Sequence, residues 1–178
     1  MWLGDALHNH TDLEFLDLHH TKVGDDDAIS LAEGLKNNDN LRRLAMHNNR
    51  ITDVGAAAIA EALKTNKALT LLSLSSNGIG DVGAAALAEA LRENHVLRRL
   101  DLYFNLVGDE GGVALAEALT VNSALREHSC HRKPTQSPCN ASMFSPGDCA
   151  CCGCAWDGSG CECSALLHAA TCCRLRSR

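Results

Sequence analysis

The sequence predicts an α/β solenoid: a right-handed open arc whose strands form a concave parallel β-sheet and whose helices cover the convex side. Three observations carry this. A 28-residue unit recurs with starts at Leu13, Leu41, Leu69 and Leu97, and its second and third copies are identical at 15 of 28 positions. Within each unit the apolar spacing changes from alternate residues, the period of a strand, to i, i+3, i+4, i+7, the period of a helix. One strand and one helix per unit must also curve the stack, because strands sit about 4.8 Å apart whereas packed helices need about 8 to 10 Å.

Leu3, Ala6, Leu7 and Asp12 fall where the second unit has Ile59, Ala62, Leu63 and Ala68, so residues 1–12 read as the helical half of a preceding unit. The chain is therefore expected to be a fragment of a longer array. Four full units follow, and the repeat region runs over residues 13–128. In each, LEFLDL, LRRLAM, LTLLSL or LRRLDL alternates apolar and other residues, which predicts strands at 15–18, 43–46, 71–74 and 99–102 with the leucines at positions four and six turned inward. Position nine is Asn49, Asn77 and Asn105, where an amide can pair backbone groups left open by the turn; the first unit has Thr21 there. Next come an apolar anchor (Val23, Ile51, Ile79, Val107) and an Asp (Asp25, Asp53, Asp81, Asp109) expected to accept from free N–H groups in the first turn of its own helix. The helices are rich in alanine, which allows close approach to the strand layer and has the best helix propensity. They are expected to end near Asn38, Asn66, Asn94 and Asn122, a residue type that tolerates left-handed C-terminal geometry. A fifth copy begins at Leu125 as LREHSCHRK, with His128 where a core leucine belongs, and is expected to stop mid-strand.

All ten cysteines and all three prolines lie beyond residue 129, so residues 129–178 form a tail of different composition. With few large aliphatics to build a core, it is expected to be poorly ordered. Within CACCGCAWDGSGCEC, the CxxC pair Cys149 and Cys152, or Cys151 and Cys154, could join Cys161 with Cys163 or His168 in a tetrahedral zinc site. Zinc is the one cofactor the sequence suggests.

Charge narrows the partners. Residues 1–128 hold 11 Lys and Arg against 19 Asp and Glu, a balance of −8, and the remainder carries +2 of the total −6. Such acidity argues against a general nucleic-acid binder. The start, MWLGDALHNH, lacks the n-region and h-region of a secretory signal, and no run of about 18 apolar residues exists to span a membrane. A cytoplasmic protein is expected, where tail cysteines would not form a disulfide framework.

The pattern LxxLxLxxNxIxDxGxxxLAxALxxN resembles the ribonuclease-inhibitor-like class of leucine-rich repeats over residues 2–126. That resemblance implies a horseshoe that binds other proteins, as in ribonuclease inhibitor, the activators of the Ran GTPase and the sensing ends of NACHT-containing immune receptors. Residues 1–128 lack the cysteines typical of ribonuclease inhibitor, and no GxxxxGKS or GxxxxGKT loop marks a nucleotide-binding module. A Ran-type activator is kept as the alternative, with no residue aligned to that role.

Positions three, five, seven and eight should project from the concave face, so residues 28 apart form columns. Phe15, Arg43, Leu71 and Arg99 make one; Asp17, Ala45, Ser73 and Asp101 another; His19, His47, Ser75 and Tyr103 a third; His20, Asn48, Ser76 and Phe104 a fourth. Exposed Arg, Tyr and Phe are enriched in binding hot spots, which points to a protein or peptide partner on this face. His19 and His47 should lie about 5 Å apart, and with Asp17 or Asp101 they form a second, weaker candidate for a metal. No enzyme is expected, and no small-molecule substrate, because an open sheet offers no water-poor pocket to hold a catalytic group.

Overall fold

A computed structural model describes Gly4, Leu7, residues 12–131 and residues 172–175, with backbone placement alone for 129–131 and 172–175. Five strands alternate with four helices: β1 Phe15–Asp17, α1 Asp25–Lys36, β2 Arg43–Ala45, α2 Asp53–Thr65, β3 Leu71–Ser73, α3 Asp81–Glu93, β4 Arg99–Leu102, α4 Asp109–Val121 and β5 Glu127–His131. A further strand, β6 Cys172–Leu175, completes one sheet in the order β1-β2-β3-β4-β5-β6. The first five strands are parallel and in register at the repeat spacing, so Arg43 pairs with Leu71 and Leu71 with Arg99.

The core lies between the sheet and the helices. Leu44, Leu72 and Leu100 from successive strands are buried, as are Leu41, Leu69 and Leu97 at the strand entries. Facing them, α2 buries Ala56, Ile59, Ala60 and Leu63, and α3 buries Ala84, Leu87, Ala88 and Leu91. Alanine on this stripe costs little area yet lets helix and sheet approach. The expected α/β solenoid is therefore the observed fold.

Two expectations about the polar residues are corrected. The Asn residues near the helix ends are not left-handed caps: Asn66, Asn94 and Asn122 have φ of −66°, −86° and −85° with extended ψ. Their amides instead tie neighbouring repeats together. Asn94, fully buried, donates from Nδ2 to the carbonyls of Leu63 (2.6 Å) and Asn66 (3.2 Å), while its Oδ1 accepts from the N–H of Val96 (2.9 Å) and Leu97 (2.8 Å). Asn66 does the same one repeat earlier, and Asn38 Nδ2 reaches the Leu7 carbonyl at 3.1 Å.

The aspartates, likewise, cap the next helix and not their own. Asp53 Oδ1 accepts from Gly80 N (2.6 Å) and Gly83 N (2.8 Å) at the start of α3, and Asp81 Oδ1 accepts from Gly108 and Gly111 at the start of α4. Asp25 serves Thr52 and Gly55 of α2; burial raises its pKa, but hydrogen bonds from Thr52 and Gly55 outweigh this and hold it below the ordinary value. A residue at the first helical position cannot satisfy its own turn when its carboxylate is turned toward the neighbouring repeat. Glycine follows from the same contact: a Cβ on Gly83 would sit 2.7 Å from Asp53 Oδ1.

The fifth strand does not stop short. β5 runs through His131, pairing parallel with β4 and antiparallel with β6, so it crosses the compositional boundary at residue 129. Ladder hydrogen bonds come from the backbone and tolerate His128 in the leucine column. Within the tail, the backbone of Cys172–Leu175 forms β6. Residues 132–171 and 176–178, with Cys149, Cys151, Cys152, Cys154, Cys161, Cys163 and His168, lie outside the described residues.

His128 is the one described side chain with a buried polar atom, Nε2, that finds no partner. It borders a cavity of about 10 Å³ against Leu91, Leu100 and Leu125. Burial holds its imidazole below the ordinary value of 6.5, so the unfolded chain takes up the proton first. Stability is complete above 6.5 and falls as the pH drops below it. His128→Leu should raise unfolding free energy by about 1 to 3 kcal/mol and flatten this decline, measured by urea titration across that range.

Candidate functional site

The face of the sheet turned away from the helices carries the side chains that the strands leave outside the core. Alternation of the pleat decides this: with position four buried in β2 to β4, positions three and five must point the other way. Phe15, Arg43 and Arg99 are exposed and Leu71 is half-buried; Asp17 is exposed, Ser73 and Asp101 are half-buried, and Ala45 is closed over at 9% exposure. The Arg43 guanidinium lies 4.9 Å from the centre of the Phe15 ring, a cation–π contact that holds both side chains against the sheet. Arg99 Nη1 lies 3.2 Å from Glu127 Oε2 on the next strand. Both partners are about half exposed, so this pair adds little to stability.

Beyond the strands, position eight turns the chain sharply. His20, Asn48, Ser76 and Phe104 all have φ between 53° and 55°, in the left-handed region. Asparagine takes this geometry readily; a phenylalanine pays about 1 to 2 kcal/mol for it. Phe104 nevertheless stands 55% exposed, with its ring 4.1 Å from that of Tyr103 in an edge-to-face arrangement.

At the other end, three imidazoles gather. His19 and His47 stack with ring centres 5.0 Å apart and planes 3° from parallel, and His20 meets both edge-on at 5.6 and 6.4 Å. Asp17 Oδ1 accepts from the His19 backbone N–H (3.1 Å) and lies 2.6 Å from His19 Nδ1. Ring nitrogens bind metals in the plane of the ring, so two parallel stacked imidazoles cannot aim at one ion between them. Among the described residues no three His, Cys, Asp or Glu side chains converge as a metal site requires, and the His19, His47 and Asp17 or Asp101 metal reading is set aside.

The structure thus groups the predicted residues in two clusters across one surface, Phe15, Asp17, His19, Arg43 and His47 at one end and Arg99, Asp101, Tyr103 and Phe104 at the other, with Leu71 between them. Sequence reasoning missed the left-handed position, although Asn48 there was a signal. Charges at the strand entries, Arg42, Arg98 and Arg126, were also missed; the doubled arginines of LRRLAM and LRRLDL mark them. The cavity beside His128 is at the lower limit for one water molecule, too small for a substrate.

Four copies of the leucine-rich-repeat family model match, at residues 9–32, 37–60, 65–88 and 93–116, and together they cover more than half of the chain. The chain belongs to the leucine-rich-repeat family. The matched windows recur at the same spacing as the unit read from the sequence. Among solved structures, this repeat protein is similar to leiomodin-1 actin-binding site 2, with 26% identity and a TM-score of 0.66 over 70% of this chain and 75% of that one. No curated protein sequence matches. None of the helices among the described residues is long and apolar enough to cross a membrane.

The hydrogen bond to His19 is the largest influence on Asp17, and it holds the carboxyl below its ordinary 3.8. The contribution is present above 3.8 and is lost as pH falls through the lowered value. Carboxyl carbon NMR should show Asp17 titrating below 3.8 in the parent and closer to it in His19→Ala.

Proposed function

We propose that this leucine-rich-repeat protein is a recognition scaffold that engages a folded protein partner through the open face of its sheet, working in the cytoplasm. What carries the reading is Phe104, a large apolar side chain held exposed at a positive φ and braced by Tyr103. Arg43, fixed over Phe15, and Arg99 supply directional charge on the same face. Side chains already held in place lose less entropy on binding, so this surface suits a rigid partner. The chemistry is that of binding: the face offers hydrogen-bond donors and aromatic rings.

Actin is the first partner to test, because a structurally similar domain is an actin-binding site and the likeness spans most of both chains. Sedimentation with filamentous actin, and fluorescence titration of labelled monomeric actin, should both be run with the parent and with Phe104→Gly. Glycine relieves the positive φ, so the variant should melt no lower than the parent. Its affinity should nevertheless fall about tenfold, the loss of one anchor worth about 1.4 kcal/mol or more. Binding unchanged by Phe104→Gly and by Arg43→Ala with Arg99→Ala would refute the concave-face reading, and no binding to either form of actin would remove actin.

A further inference from the structure

We infer that the strand-entry edge of the sheet is a docking strip for an acidic segment of a protein partner. Seven arginines occur in residues 1–128, and five of them, Arg42, Arg43, Arg98, Arg99 and Arg126, occupy positions two and three of their repeats. The backbone ladder brings these positions side by side: Arg42 N–H bonds to Glu14 O, Thr70 N–H to Arg42 O, Arg98 N–H to Thr70 O and Arg126 N–H to Arg98 O, each at 2.8 Å. One column therefore reads Glu14, Arg42, Thr70, Arg98, Arg126. The neighbouring strand column, Phe15, Arg43, Leu71, Arg99, Glu127, follows the same order.

The result is two arginine pairs two strands apart, about 10 Å, with Thr70 and Leu71 as a neutral saddle between them. Arg42 spends one donor on the Ala68 carbonyl at 3.2 Å, and the Arg98 and Arg126 side chains are exposed with no hydrogen bond or ion pair inside the described residues. In a repeat region of balance −8, this concentration of positive charge on one edge is a local reversal of sign. Charge complementarity selects an acidic ligand, and guanidinium geometry selects carboxylates that can be gripped two oxygens at a time. Spacing selects an extended segment of the polyproline II type: with three residues per turn and a rise of about 3.1 Å, acidic residues three positions apart share one face about 9.3 Å apart and meet both pairs. A nucleic acid would also be drawn to positive charge, but the acidic flanks of the molecule oppose a long polyanion while leaving a short acidic segment unhindered. Glu127 acts as an internal competitor, since it already holds Arg99 at 3.2 Å.

This inference rests on the protein-partner reading above and shares Arg43 and Arg99 with it, but its test substitutions, at Arg98 and Arg126, fall on side chains that reading does not use, so the two can fail separately. The probe is a fluorescein-labelled octaglutamate peptide, titrated by anisotropy against the full chain. Octaglutamate should bind with marked salt dependence. Arg98→Ser with Arg126→Ser should weaken it about tenfold, Arg92→Ser on the helical side should leave it unchanged, and Glu127→Gln should tighten it by freeing Arg99. Circular dichroism of each variant should match the parent, because these side chains are exposed. Equal weakening by Arg92→Ser would reduce the effect to diffuse charge and overturn the strip. Tighter binding of a labelled oligouridylate than of octaglutamate would also overturn it, in favour of a nucleic acid.

Discussion

Every turn of this solenoid buries backbone that neither strand nor helix can pair, and side-chain hydrogen bonds from one repeat to the next resolve that problem. An open stack has no closed core to hide such groups in, and a buried, unpaired N–H or carbonyl costs about 1 to 3 kcal/mol. Asn94 alone satisfies four of them, two carbonyls and two N–H groups. A second set, Asn49, Asn77 and Asn105, closes the turn after each strand: Asn77 Nδ2 donates to Met46 O (3.0 Å) and Leu74 O (2.9 Å), and its Oδ1 accepts from Ile51 N (3.0 Å). With the aspartates at the helix starts, three polar ladders run the length of the array beside its leucine core. Each ladder crosses a repeat boundary, so each couples neighbours and fixes the repeat-to-repeat register that the exposed face inherits.

That inheritance links architecture to recognition. Because equivalent residues are stacked in register, a substitution at one position of the repeat changes one square of a surface grid and leaves the frame alone. Leucines at positions one and four, Asn at nine and Asp at thirteen are held nearly constant, while positions two, three, seven and eight vary from His and Arg through Ser to Tyr and Phe. Variation at the outward squares is how such a scaffold is fitted to a partner. The left-handed residue at position eight has the same logic, since it turns its side chain out at the sheet margin in every repeat.

The strands, the helices, their order and the inward leucines were legible because each follows from a local period. Asn49, Asn77 and Asn105 were legible too, since an amide beside a tight turn has an obvious use. What the sequence hid was contact between repeats. Asp53 reads as the cap of the helix it begins, and only the stack reveals that the nearest free N–H groups, on Gly80 and Gly83, belong to the following unit. Asn94 reads as a left-handed helix end for the same reason: its partners Leu63 and Asn66 are far along the chain and adjacent in space. At the C-terminal side, the missing leucine at His128 suggested a broken strand, but sheet pairing depends on backbone and lets β5 form around an ill-matched side chain. Strained Phe104 was named as a surface residue, and its strain became visible only with the backbone.

The central claim, that polar ladders between repeats hold the arc, is tested most directly by native-state hydrogen exchange at Val96 and Leu97. Their N–H groups lie in a loop and are held only by Asn94 Oδ1, at 2.9 and 2.8 Å. If the ladder carries the structure, both should exchange as slowly as the ladder amides of β3 and β4, opening only when the array unfolds. Exchange at the rate of an ordinary surface loop would show that the amide is a local ornament and that the leucine core alone holds the repeats together.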